Sequence, residues 1–213
     1  MSRSVSGVVG VVCCAAAGFC VLLSCVLVAS PGLAAPQPAV TVRFVAPGGD
    51  CGGYTPCYAS IQAALDAGGP NNDEIRVAQG VYTGVSFRSG VTQAVYLSKT
   101  VTIRGGYQAG NWETPSPATQ PSTIDAEWKG RVLYITGNIS PTIEGLRMQR
   151  GAATGLKGGY RNEDAGGAVF VKDARGTLHN NVIMNSVATV VTNTFSSSGG
   201  GVYLYGSSLT LRS

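Results

Sequence analysis

The chain has 213 residues, 44% of them hydrophobic and 12% charged, with a formal charge of +4. That length gives room for one or two domains with a real core. The low, nearly balanced charge excludes a disordered polyelectrolyte and argues against a nucleic-acid partner. A single histidine excludes any site that needs two, and 30 glycines among few charges point to a turn-rich β protein.

In chain order, residues 1–35 read as a secretory signal peptide: Arg3 supplies the positive start, residues 8–29 are an almost unbroken apolar run, and Gly32-Leu33-Ala34-Ala35 is a small-residue exit. Cleavage is expected after Ala34, since cleavage one residue later would leave Pro36 at the new N-terminus. The apolar run is long, so an uncleaved membrane anchor is the competing reading. Cys25 follows Leu22-Leu23-Ser24 in a lipoprotein-like box, but apolar residues continue past it, which argues against lipidation. Cys13, Cys14, Cys20 and Cys25 fall in this segment and act as small apolar residues. Removing it leaves a charge of +3 and the pair Cys51 and Cys57. In an exported chain that pair reads as one local disulfide, because His179 is too isolated to complete a metal site.

Residues 36–41 form a Pro-rich linker, after which an extended segment runs to Val45. Residues 60–67 are the one convincing helix, with Ser60 as N-cap, Ile61, Ala64 and Leu65 on one face, and Gly68-Gly69-Pro70 as the stop. Everything after it reads as short strands separated by Gly, Asn, Ser and Pro: 74–78, 94–97, 101–104, 131–135, 142–148, 168–171 and 202–205. Gly166-Gly167-Ala168-Val169-Phe170-Val171 matches Gly199-Gly200-Gly201-Val202-Tyr203-Leu204 at an offset of 33, and the same offset carries Thr177-Leu178 onto Thr210-Leu211. A looser copy lies upstream at Val132-Leu133-Tyr134-Ile135 and Thr142-Ile143-Glu144-Gly145-Leu146. Repeats of this length with two or three short strands predict stacked coils around one continuous core, with a β-propeller as second choice.

The opening Phe44-Val45-Ala46-Pro47, the helix 60–67 and the continuation Asp73-Glu74-Ile75-Arg76-Val77-Ala78-Gln79-Gly80-Val81-Tyr82 resemble the N-terminal cap of right-handed parallel β-helix proteins of the pectin-lyase-like superfamily. The later Gly166-Gly167-Ala168-Val169 and Val182-Ile183-Met184-Asn185 resemble bacterial surface repeats of the polymorphic outer membrane type, with Val182 in place of the usual Phe. The resemblance implies an all-β fold: a right-handed parallel β-helix solenoid over residues 42–213, capped by 42–82 and its helix. It places Asn181 and Asn185 at turns, where their side chains satisfy backbone groups between coils. The chain ends at Ser208-Leu209-Thr210-Leu211-Arg212-Ser213 in mid-strand, with no cap after it. That predicts truncation, with further coils or domains of the same chain beyond Ser213; end-to-end dimerisation is the other reading.

Chemistry is harder to find. The polygalacturonase-like hydrolases of this fold carry an Asn-Thr-Asp, paired aspartates, a Gly-His-Gly and an Arg-x-Lys, none of which occurs here. The acidic groups Asp73-Glu74, Asp125/Glu127 and Glu163-Asp164 lack the calcium motifs of pectate lyases and read as solvated turn carboxylates; His179 reads as a surface or turn residue. No catalytic residue, metal ligand or cofactor is assigned. The segment from Gly105 to Trp128 departs furthest from the strand pattern and carries both tryptophans. Its aromatics either anchor the loop or stack on sugars, and Tyr107, Trp112 and Trp128 are the candidate glycan contacts. The expectation is a non-catalytic exported scaffold, secreted or on a bacterial cell surface, binding polysaccharide or cell-surface glycans or mediating adhesion. Membrane contact is expected only through an uncleaved N-terminal segment. The alternative is the N-terminal part of a polysaccharide lyase or glycoside hydrolase whose active site lies in later coils, and a structural stalk is the third reading.

Overall fold

In a computed structural model of the chain, residues 40–69, 71–189 and 197–213 are described. Residues 1–35, expected to be a signal or anchor, with their four cysteines, linker positions 36–39 and Pro70 of the expected helix stop lie outside them. Strands dominate, helices are few, and the long sheets are parallel, which makes the fold all-β and unlike the antiparallel blade of a propeller.

Helix α1 spans Ile61–Ala67 because a cap and an apolar stripe coincide there. The Ser60 hydroxyl accepts from the Ala63 N–H at 3.1 Å, and Ile61, Ala64 and Leu65 are the buried residues. At its far end the Gly68 N–H donates to the Leu65 carbonyl at 3.1 Å. Beyond the helix the chain visits three ladders in turn, and each visit adds one parallel strand to each ladder. The first ladder receives Asn71–Ala78, Thr100–Tyr107, Thr142–Glu144, Arg175–His179 and Ser208–Arg212, with Val42–Val45 and Cys57–Tyr58 at its start. The second receives Gly80–Thr83, Ser122–Asp125, Leu146–Gln149 and Val182–Met184. The third receives Val91–Leu97, Arg131–Thr136, Val169–Lys172 and Val202–Tyr205, and its first edge carries the antiparallel strand Ser86–Arg88.

Register is set by what enters the core. In the first ladder Ile75, Ile103, Ile143 and Leu178 stand in one column, in the second Tyr82, Ile124, Met148 and Ile183, and in the third Val95, Leu133, Val169 and Val202. These columns belong to one hydrophobic cluster, so the ladders face a shared interior. The 33-residue repeat is this register: Val169, Phe170 and Val171 pair with Val202, Tyr203 and Leu204, and Thr177 and Leu178 with Thr210 and Leu211.

The expected single strand over 142–148 is corrected. It divides into Thr142–Glu144 and Leu146–Gln149, which belong to different ladders, because Gly145 (φ +66°) turns a corner that an L side chain rarely adopts. At that corner the Asn181 amide reaches in from the turn between Arg175–His179 and Val182–Met184. Its Oδ1 accepts from the Leu146 N–H at 2.9 Å and its Nδ2 donates to the Ile143 carbonyl at 2.8 Å. Asn185 closes Val182–Met184 with φ +47°, a left-handed conformation that Asn tolerates.

A smaller cluster sits at the start of the first ladder. Phe44, Ala46, Cys51, Ala78, Tyr107 and Trp112 are buried together there, and Cys51 and Cys57 form a disulfide with an S–S distance of 2.02 Å.

Candidate functional site

Period-two alternation decides what the third ladder shows to the outside. Val95 and Leu97, Leu133 and Ile135, and Val169 and Val171 enter the core, so the intervening Tyr96, Tyr134, Phe170 and Tyr203 lie on the opposite face. Their rings stack in sequence, with centroids 5.7, 5.3 and 5.6 Å apart. Such pairs contribute about 0.5–1.5 kcal/mol each beyond the area they bury.

A long excursion between Gln149 and Val169 folds back over this aromatic column. Arg131, at the start of its strand, holds it down: Nε and Nη2 donate to the Ala165 carbonyl at 3.0 and 2.9 Å, and Nη2 donates to the Lys157 carbonyl at 2.5 Å. Its guanidinium lies 4.6 Å from the Phe170 ring centre and 5.9 Å from that of Tyr134. Gly158 sits directly on Phe170, where a β-carbon would come within 3.0 Å of the ring. The Tyr160 N–H donates to the Tyr203 hydroxyl at 2.8 Å, and both oxygens of Asp164 accept loop N–H groups, from Gly155 at 2.8 Å and Lys157 at 3.2 Å.

Between this excursion and the column lies a cleft of ≈ 570 Å³, within the range of small-ligand sites. Tyr134, Phe170 and Tyr205 form its aromatic wall, and Arg131, Arg161 and Lys172 are among its cations. Burial pulls the Arg131 guanidinium down to a pKa of about 10, with the neighbouring Tyr134 and Asp164 charges opposing the shift. It therefore remains a cation at neutral pH. Burial also raises the Tyr134 phenol above its usual value, partly offset by Arg131. A second groove of ≈ 350 Å³, with Pro115, Pro117, Leu146, Arg147 and Val182 in its wall, carries fewer convergent polar groups.

The three aromatics expected to touch sugar are separated by the fold, and two are corrected. Tyr107 and Trp112 are each 1% exposed. Trp112 lies edge-on to Phe44 at 4.9 Å, and its indole N–H donates to the Cys51 carbonyl at 3.1 Å. These rings anchor the long segment and present nothing to a ligand. Trp128 is 44% exposed, in a turn where its N–H donates to the Arg150 carbonyl at 2.6 Å; it does not line the cleft.

The carboxylates differ from the solvated groups expected. Asp125 is buried and accepts from Arg150, from Gln149 at 2.8 Å and from the Glu127 N–H at 2.9 Å. Asp73 pairs with Arg43, and Glu74 is shared by Arg76 and Arg104 at 2.9 and 3.2 Å. His179 ends a first-ladder strand with Nδ1 3.5 Å from a Glu144 oxygen. Among the described residues no group of three or more His, Cys, Asp or Glu is placed to hold a metal ion.

Comparison with family models, with curated proteins and with solved structures yields no match. Reasoning from sequence missed Arg131, Arg161, Lys172 and Tyr205. A signal for the wall was present: an aromatic recurs at the same strand position in Tyr96, Tyr134, Phe170 and Tyr203.

Proposed function

We propose that the three ladders are the faces of a right-handed parallel β-helix, and that the protein is a non-catalytic scaffold, exported to the cell surface or beyond, that binds glycan in the cleft over the third ladder. The helical reading is supported by the order in which the chain visits the ladders, and the right hand by the strong preference of parallel crossovers. The glycan reading is carried by one observation: the half-exposed Tyr205 ring stands in a cleft among convergent donors. Aromatic faces take the apolar C–H faces of pyranose rings, while hydroxyls need fixed donors around them.

Affinity electrophoresis of the full-length chain through gels containing soluble polysaccharides, with reducing-end and ultraviolet assays for cleavage, tests this. Retardation without turnover, lost in Tyr205→Ala, is the expected result. Turnover, or retardation by none of the polysaccharides, overturns it.

A further inference from the structure

The lining of the cleft is chemically one-sided. Among the described residues it contains Arg131, Lys157, Arg161 and Lys172 and no carboxylate. The nearby Asp164 is occupied by loop N–H groups and lies 4.0 Å from the Lys157 ammonium. Arg131 is 1% exposed, and after Nε and Nη2 have bonded the Ala165 and Lys157 carbonyls, Nη1 is left with no hydrogen-bond partner among the described residues. A buried guanidinium with no direct ion pair is an expensive arrangement, only partly offset by the more distant Asp164 charge. The face of Phe170 offsets part of that cost, but a ring quadrupole does not replace an anion. Burial depresses the Arg131 pKa to about 10, against the opposing Tyr134 and Asp164 charges. Arg161 and Lys172 are exposed on the same lining.

We infer that the cleft selects a saccharide chain bearing anionic groups, carboxylate or sulfate ester, which Arg161 and Lys172 engage above the buried charge of Arg131 while the exposed Tyr205 ring takes a sugar face. This rests on the glycan-binding reading above and adds its charge selectivity. Guanidinium groups match carboxylate and sulfate oxygens in pairs, whereas a neutral sugar offers only hydroxyls.

The test is calorimetric titration of the full-length chain with three oligosaccharides of equal length: an oligogalacturonate, a sulfated galactan fragment and an unsulfated galactan fragment. At least one anionic probe is expected to bind about tenfold or more tighter than the neutral one, with affinity falling as salt rises. The exposed pair Arg161→Ala/Lys172→Ala, which leaves the buried Arg131 in place, should bind that probe about tenfold more weakly while circular dichroism stays unchanged. The better of the two anionic probes identifies the anion. Equal binding of neutral and anionic probes overturns the selectivity and leaves glycan binding standing. Binding by none of the three, together with no retardation in the gels, overturns both. Unchanged affinity in the double variant removes the cleft as the site.

Discussion

Phe170 and Tyr203 lie 33 positions apart, pair in register on adjacent parallel strands, and stack with ring centres 5.6 Å apart. Phe170 also stacks on Tyr134 and lies under Arg131 and Gly158, so it is sandwiched within the column and supports the excursion from beneath. Phe170→Ala should therefore cost about 3–5 kcal/mol in chemical denaturation. Tyr203→Phe, which keeps the ring and removes one acceptor, should cost about 1 kcal/mol. Equal costs for the two would show that the ring of Phe170 does not support the loop.

The two tryptophans should behave differently. Trp112→Ala empties a fully buried site against Phe44 and leaves the Cys51 carbonyl without its indole donor, a loss of about 3–5 kcal/mol. Trp128→Ala, at a half-exposed turn, should shift stability by no more than about 0.5 kcal/mol. Denaturation midpoints of the two variants decide the matter, and a large loss at Trp128 would contradict the assignment.

Acid should weaken the fold through Asp125. Burial raises its pKa, but the bonds from Arg150, Gln149 and the Glu127 N–H more than reverse this and leave it below the ordinary 3.8. A carboxyl lowered on folding stabilises the native state above its unfolded value, and that contribution disappears as pH falls through the folded value. The window lies below pH 3.8. Asp125→Asn should be less stable than the parent at pH 6, with the gap narrowing as pH drops through this window in urea titrations. A gap that stays constant down to pH 2 would assign the loss to packing instead.

The glycine pair of the repeat has two separate jobs. Gly166 adopts φ +66°, whereas a β-carbon on Gly167 would come within 2.0 Å of the Val187 carbonyl oxygen and 2.7 Å of that of Gly200. Both contacts are backbone, so neither can swing away. Gly167→Ala should cost about 3 kcal/mol, the top of the usual range for overpacking, or prevent folding. A soluble variant with an unchanged thermal midpoint would show that these strands can separate to admit a methyl group.

What could be read from the sequence was local or periodic. Ser60 with Ile61, Ala64 and Leu65 specifies a capped amphipathic turn within eight residues, and the 33-residue offset is a pairing register written into the chain. The corner at Gly145 was legible in principle, because Ile143, Leu146 and Met148 all face the core and the alternation slips by one at the glycine. Other features depend on partners far along the chain. Trp112 is buried because Cys51, 61 positions away, accepts its N–H. Arg131 reads as a charged strand start and is buried only because carbonyls from Lys157 and Ala165 come to meet it. The cleft inherits that dependence, so its cations could not be grouped before the excursion was folded over them.

The offset between matching positions is 33 for Thr177 and Thr210 but 40 for Arg104 and Glu144, yet both pairs meet across neighbouring strands of one ladder. Inward-facing side chains hold the alignment, and the connecting stretches take up the slack. The molecule thus separates two kinds of inheritance. Changes in the stacked rungs must be matched above and below, while a connection can lengthen, shorten or be replaced without disturbing them. A surface built on such a connection can therefore be altered without repacking the interior beneath it.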